Sequence, residues 1–575
     1  MTDRFATSFN PFVLPFLFGM AFVLSYCLFG ILRIFLQLNH EDRRKFLLSL
    51  VTPSTALKNI RDILLDCLIH VKLWKRNKLL GYMHSSIAFG WFLLIVFGHI
   101  EVILFIPERL NRIYYPIFFN YFVDVSHPDM AGRIFLVLMD CLLLYVLSGI
   151  ALAVLKRLRS RLFGMRRTTR HGLLNQIGMY SLWAIFPLRM LAEHSMSLSY
   201  WWAYSTALCV FFTVLPFSRY MHIPAEMLLI PMRNAGLKIR GYRSGFARAQ
   251  VLSCPNCGVC IDACPMSVDK ANLKECTVYL TRQIRRGNEK RVDEISDKCL
   301  LCGKCREVCQ VEVDGPGLRM MRRQTRTYAV DQDYSSIDTE PFKSAAKGSK
   351  LLYFSGCMSQ LTPEIGRSVE SVLTKAGVDF NWMDRDGGLC CGRPLLTAGR
   401  TAQAEALVRK NEEIILGSGA GTLVVSCPIC FRMFKENYNL PGVEVRHYSD
   451  FILELIRDSR IEVEKGDVCY VFHDPCELGR GCGIYDEPRK LIALSGCIAE
   501  APMTRAESVC CGGSLGSLSL GFRQREKLTR SALGNLYASG ADAIATACPL
   551  CKSTFSRYSS RPVRDIAEIV NSQIK

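Results

Sequence analysis

CPNCGVCIDACP at residues 254–265 and CLLCGKCREVC at residues 299–309 each space four cysteines as C-x2-C-x2-C-x3-C. At that spacing three thiolates on one tight loop hold three irons of a cubane, and the fourth turns away to ligate the other cluster. The expected ligand sets therefore cross over. Cys254, Cys257, Cys260 and Cys309 serve one [4Fe-4S] cubane, and Cys299, Cys302, Cys305 and Cys264 serve the second. A structural zinc site pairs two C-x2-C knuckles and needs no x3 crossover, so zinc is set aside here. Pro265 follows the first run and Gln310 the second, and Cys276 lies outside both and reads as a buried thiol.

Downstream, the cysteines continue in an internal repeat of roughly 120 residues. Its first unit is Cys357-x32-Cys390-Cys391-x35-Cys427-Pro428-Ile429-Cys430, and its second is Cys476-x33-Cys510-Cys511-x36-Cys548-Pro549-Leu550-Cys551. Eighteen of the 26 cysteines thus fall in arrays or adjacent pairs. Such spacing suits soft metals better than disulfide geometry, which places this half in a reducing cytoplasm. Short β-branched or aromatic runs, Leu351–Phe354, Leu423–Val425, Val468–Phe472 and Ala543–Thr546, alternate with amphipathic stretches such as Thr401–Leu416 and Arg523–Leu536. The alternation predicts two small α/β domains with the cysteines on loops at strand ends, where ligands gather in open sheets. The glycine-rich run Gly417–Gly421 follows a helix and precedes a strand, the wrong order for a dinucleotide loop, so it reads as a cap and turn. With no other flavin fingerprint, any flavin belongs to a partner. His473, just before Cys476, is either a loop-bonding residue or a proton donor beside a cluster.

Upstream, five apolar segments near the ~20 residues of a spanning helix can be drawn: Pro11–Leu32, Leu80–Phe105, Ile134–Leu155, Leu173–Leu191 and Tyr200–Phe217. The first has no basic residues packed before it and no small-residue cleavage site, so it reads as a retained helix. The loops after the first and third segments are rich in Lys and Arg, including Arg43, Arg44, Lys45, Lys156, Arg157, Arg166, Arg167 and Arg170; the alternate loops are poor by comparison, with Arg109 and Arg112 in one and nothing basic between Ser195 and Ser199 in the other. The positive-inside rule then puts the N-terminus outside and the cysteine-rich half inside.

Histidine buried in hydrocarbon marks function by default. His84 and His99 stand fifteen residues apart on the second segment, roughly 22 Å along a helix. His222 matches His84 in depth and His194 matches His99, so the pairs His84/His222 and His99/His194 would hold one or two b haems. His70 and His171 are read as unrelated to haem. Glu101, Asp140, Arg189 and Glu193 are candidates for quinone binding or proton release, Arg189 and Glu193 foremost, against a purely structural pairing.

A chain of 575 residues is too long for one compact domain, and half of its residues are hydrophobic. Its formal charge of +19 is accounted for largely by the basic loops beside membrane helices, which leaves no ground for a nucleic-acid partner.

The five segments, Phe97-Gly98-His99 and Pro216-Phe217-Ser218-Arg219-Tyr220-Met221-His222-Ile223 resemble the gamma subunit of respiratory nitrate reductase over residues 1–230. The resemblance implies a cytochrome b that oxidises quinol. That family takes its outer haem ligand eighteen residues before the inner one, where this chain has Tyr204, and His194 is assigned as the replacement. Cys390-Cys391-Gly392, Cys510-Cys511-Gly512-Gly513, Cys427-Pro428, Cys548-Pro549, His473-Asp474-Pro475-Cys476 and Tyr485-Asp486-Glu487-Pro488-Arg489 resemble the cysteine-rich (CCG) domains of heterodisulfide reductase, and those of the glycerol-3-phosphate dehydrogenase iron–sulfur subunit and lactate-utilisation proteins. This implies a non-cubane [4Fe-4S] cluster in each unit, with zinc or a simpler cluster in one unit as the alternative.

The expected fold is multidomain: a five-helix transmembrane bundle (1–230), an α-helical dicluster ferredoxin-type segment (231–330), a linker (331–350) and two α/β CCG domains (351–460 and 461–575). The expected function is a multi-pass inner-membrane iron–sulfur oxidoreductase of prokaryotic type. It passes electrons between quinone, taken to be menaquinone, and a cytoplasmic reactant at the ten CCG cysteines and His473. The alternative is a conduit fed by a soluble flavoprotein partner.

Overall fold

The structure, a computed structural model, describes residues 10–105, 117, 130–165, 169, 172–195, 197–326, 350–385, 390–513, 516 and 520–575. His171, the basic residues Arg109, Arg112, Arg166, Arg167 and Arg170, and positions 331–349 of the expected linker lie outside the described residues. The chain forms two compact units, residues 1–262 and 263–575.

The first unit is helical. Among the described residues four helical stretches are long and apolar enough to cross a membrane: Pro11–Leu36, Lys78–Leu104, Met130–Leu158 and Leu198–Phe217. The remaining expected segment, fourth in chain order, is a helix of 23 residues, Leu173–Ser195, whose Asn175, Gln176, Arg189, Glu193 and His194 lower its apolarity, so it does not join those four. It packs along Leu198–Val214, and Lys78–Phe105 packs along Met130–Leu158. Gly149 permits the second pairing, because a Cβ there would come within 2.0 Å of Ser86 Oγ, the close approach small residues allow between membrane helices. The basic connection after the first helix folds into helices at His40–Val51 and Pro53–Ile63, the former capped by Asn39 accepting from the Asp42 amide at 2.7 Å. The Gly245–Leu252 helix buries Phe246 and Ala249 with Ile34, Leu38 and Leu229. This docking against the first membrane helix belongs to the first unit, which runs to residue 262.

The second unit carries the repeat. Strands β1 (Leu351–Phe354), β2 (Phe380–Trp382), β3 (Thr422–Val425) and β4 (Glu444–His447) form one all-parallel sheet in the order β2-β1-β3-β4. Strands β5 (Cys469–His473), β6 (Cys497–Ala499), β7 (Ala543–Thr546) and β8 (Val563–Asp565) form a second in the order β6-β5-β7-β8. The central strands are almost wholly buried and apolar, as parallel strands covered on both faces must be. The two repeats share one core: Leu352, Val424 and Phe431 cluster with Phe472, Ala545 and Ile566. Tyr448 of the first repeat donates its hydroxyl to Asp565 of the second at 2.6 Å. Gly417–Gly421 is the cap and turn between the Thr401–Gly417 helix and β3, with Gly419 in the left-handed region at φ +76°.

Candidate metal centres

In each sheet the strand order reverses between its two central strands, and the crevice beyond their carboxyl ends is where open α/β sheets bind ligands. Cys357 follows β1 and Cys427 follows β3 at this point; Cys476 follows β5 and Cys548 follows β7 at its counterpart. Cys427 and Cys548 also stand as N-caps of the Pro428–Asn437 and Pro549–Ser556 helices, each with proline at the first turn, where the helix dipole favours thiolate.

In the first unit of the repeat the five cysteines converge in a chain of side-chain contacts, Cys357 to Cys390, Cys390 to Cys391, Cys391 to Cys430 and Cys430 to Cys427. Contact with Cys390 and then Cys430 draws the Cys391 thiol down to about 6, while its contact pushes Cys430 well up. The loop geometry is built for this convergence. Gly356, at φ +89°, would place a Cβ 2.9 Å from Cys427 Cβ and 3.1 Å from Cys430 Sγ, so only glycine lets Cys357 enter the set. Buried Asp384 holds the same loop, accepting from the Gly356 amide at 2.6 Å and from the Ser355 amide and hydroxyl at 2.8 and 2.9 Å. Tyr438 and Asn411 donate to the carbonyls of Cys391 and Cys390, each at 3.1 Å.

The second unit repeats the plan. Cys510 contacts Cys476 and Cys511, Cys511 lies 3.4 Å from Cys551 Sγ to Sγ, and Cys551 contacts Cys548. Asp474 holds this loop through a two-point ion pair to Arg489, at 2.7 and 2.9 Å, and accepts the Arg505 amide at 2.7 Å. His473 is buried against the edge of Phe555, ring centroids 4.8 Å apart. A ring nitrogen lies within 4.8 Å of Cys511 and Cys551 Sγ, and Nε2 has no hydrogen-bond partner among the described residues. The histidine thus faces the thiols. The first unit has Phe354 at the matching place.

The two sites are neighbours. A cavity of about 30 Å³ is lined by Arg393 and Ile429 from the first and by Cys476, Cys511, Cys548 and Cys551 from the second. Arg393 is buried there, 3.7 Å from Glu477, which also pairs with Arg432 at 2.8 Å.

Of the ferredoxin-type cysteines, the second unit holds Cys264, Cys299, Cys302, Cys305 and Cys309. The first four act on one another, as one cubane requires. Cys276, buried as expected, hydrogen-bonds Cys264. Cys302 also meets Cys510, a contact that pulls the Cys302 thiol down to about 6 and joins the cubane set to the second paired-cysteine set. Two arginines escaped sequence reasoning. Arg319 is fully buried, donates to Thr277 Oγ1 and to the carbonyls of Gly315 and Glu275, and turns its charge toward Cys299 and Cys305. Arg480 bonds the Cys302 carbonyl at 2.7 Å. Neither belongs to a cysteine motif, so nothing in the spacing singled them out. Equally unforeseen is the disulfide between Cys469 and Cys497, register partners on β5 and β6; all eighteen array cysteines are free thiols.

In the first unit Cys254, Cys257 and Cys260 follow the Gly245–Leu252 helix, and Thr169 donates to the Asn256 carbonyl at 2.6 Å. Burial pushes the Cys257 thiol up, against the charges of Lys156 and Arg76. The charge of Lys156 also reaches His84, as do those of His222, Arg219 and His70. The first cubane loop and the inner histidine pair therefore share a neighbour. His70, set aside on sequence, lies 5.3 Å from His84 between ring centroids, the two rings tilted at 35°. His99, His194 and His222 each turn Nδ1 to a backbone carbonyl, of Ile95, Met190 and Arg219, at 2.9, 3.0 and 2.6 Å. That bond selects the tautomer protonated at Nδ1, whose Nε2 carries the lone pair a haem iron takes, so His99 and His222 fit the group. His194 Nε2 stands 3.5 Å from Asp140, with Glu193 beside them, and no ring contact joins it to His99 among the described residues. Buried Arg189 pairs with Glu193 and lies over Trp201 and Tyr204, at 4.7 and 5.6 Å.

Residues 351–435 and 470–556 match the CCG cysteine-rich domain family, and residues 249–314 match a 4Fe-4S dicluster domain. The chain is an iron–sulfur protein. It is 27% identical over 336 residues to a subunit of the fumarate reductase (CoM/CoB) of Methanothermobacter marburgensis, an alignment spanning 52% of this chain and 66% of that one. It is 26% identical to a subunit of the dihydromethanophenazine:CoB–CoM heterodisulfide reductase of Methanosarcina acetivorans, over 52% of this chain and 87% of that one. It is 26% identical to the EtfAB:quinone oxidoreductase of Syntrophomonas wolfei, over 39% of this chain and 34% of that one.

Proposed function

We propose that this chain is a membrane-bound, quinone-linked iron–sulfur oxidoreductase that carries electrons between quinone at the membrane helices and a reactant at the two paired-cysteine sites. The observation that carries the reading is the contact of Cys302 with Cys510, which brings a cubane ligand set and a paired-cysteine ligand set together within one unit. On the membrane side, Lys156 within reach of both His84 and Cys257 supports transfer between an inner haem and the first cubane. His84 and His222 would hold that haem, and His99 with His194 a second; haem and cubanes supply one-electron steps when bound. The eight ferredoxin-type cysteines hold two cubanes, and the ten CCG cysteines hold a non-cubane [4Fe-4S] cluster in each domain. Arg189, Glu193 and Asp140 bind quinone and take up its protons on the outer side. The basic connections face the cytoplasm with the cysteine-rich half. His473 serves the second site as a proton donor.

A second reading, reduction of quinone with electrons from a soluble flavoprotein, is favoured by the likeness to the EtfAB:quinone oxidoreductase. Anaerobic turnover of the purified chain separates the two. Oxidation of menaquinol analogues coupled to disulfide reduction supports the first. Quinone reduction by reduced electron-transfer flavoprotein, with no response to disulfides, replaces it with the second, and inactivity in both assays of an iron-replete preparation contradicts the quinone link.

A further inference from the structure

Arg480 joins the two ligand sets that meet at Cys302 and Cys510. Its Nε donates to the Cys302 carbonyl at 2.7 Å, and its Nη1 to the carbonyls of Ala506 and Ser508 and to Ser508 Oγ at 3.0–3.1 Å. The 506–508 segment leads directly into Cys510 and Cys511. Nη2 is buried and has no hydrogen-bond partner among the described residues. The guanidinium charge acts on Cys302, Cys476 and Cys510, one cysteine of the cubane and two of the paired-cysteine site. Gly303, in the left-handed region at φ +78°, lies under the stem: a Cβ there would come 3.7 Å from Arg480 Cβ. Burying a guanidinium with one fork arm unused is unfavourable unless an acceptor completes it, and sulfur atoms of an assembled cluster are acceptors of the right kind.

We propose that Arg480 is a positioning residue shared by two redox centres: it clamps the Cys302 loop to the loop before Cys510, and its Nη2 with its positive charge stabilises the reduced state of both the cubane held by Cys302 and the cluster held by Cys476 and Cys510. Each centre gains negative charge on reduction, so one fixed cation between them raises both reduction potentials together. The inference rests on the reading that both cysteine sets hold iron.

The test is an EPR-monitored redox titration of the full chain, purified anaerobically, as parent, Arg480→Gln and Arg480→Lys, with iron and sulfide measured on the same samples. The Gln variant, at parent iron content, is expected to titrate at lower potential at both centres, each by about tenfold in the reduction equilibrium, ~59 mV for one electron. The Lys variant, which keeps the charge, recovers most of that shift. A Gln variant with full iron whose potentials stay put, or in which only one centre moves, overturns the proposal. Should the Gln variant lose iron, the Lys variant decides: full iron at near-parent potentials upholds it, and a tenfold displacement overturns it. A parent preparation without iron contradicts the functional reading instead, so the two failures are told apart.

Discussion

Gly356 is the residue at which a single methyl group would reach the metal site. Its backbone at φ +89° and ψ 148° belongs to a region open only to glycine, and a Cβ would strike Cys427. Gly356→Ala is expected to cost roughly 1–3 kcal/mol and to remove the first site's iron while sparing the second; an unchanged EPR signal from the first site contradicts this. His473→Phe, which installs the residue of the first repeat, is expected to keep both sites' iron and slow turnover, and loss of second-site iron would make His473 a ligand instead. Burial lifts the Asp565 carboxyl from 3.8 to about 7. Between those values the folded chain holds a proton that the unfolded chain has released. The contribution is therefore present below about pH 4 and is lost as pH rises to about 7. Asp565→Asn keeps acceptors for Tyr448 and the Ala567 amide and should flatten that part of the thermal-stability profile; a profile that keeps the parent's slope would rule it out. The paired-cysteine sets that the fold gathers were legible because thiolate spacing is itself the signal. Asp384 and Arg480 were not, because their role depends on loops that meet only in the folded chain.

Among elements, the four central strands were readable as short apolar runs, and the helices Thr401–Gly417 and Phe522–Tyr537 lie within two residues of the amphipathic stretches. The outer strands β2, β4, β6 and β8 were not: each has only three or four residues, mostly partly exposed, too short for a pattern to mark it. The Gly245–Leu252 helix was missed as a membrane-docking element, since its role is a packing contact and not a pattern. A Cβ on Gly245 would lie 2.1 Å from the Ile34 carbonyl oxygen. Gly245→Ala should therefore lift this helix from the first membrane helix at a cost of roughly 1–3 kcal/mol. The expected readout is faster protease cleavage between the membrane helices and Cys254, and cleavage at the parent rate argues against the docking.

At the scale of the molecule, the repeat makes two metal sites from one plan and then differentiates them. The second has His473, the Asp474–Arg489 tie and contact with Cys302; the first has Phe354, Asp384 and Arg393. The membrane part was legible as apolar segments, because length and composition alone mark a spanning helix, while the division of the chain at residue 262 follows packing and not composition. The most direct test of the account is iron and acid-labile sulfide per chain, measured with Mössbauer spectroscopy on anaerobically purified, iron-replete protein. Two cubanes and two non-cubane clusters predict about sixteen irons with matching sulfide. A sulfide-free protein carrying zinc on these cysteines would contradict it.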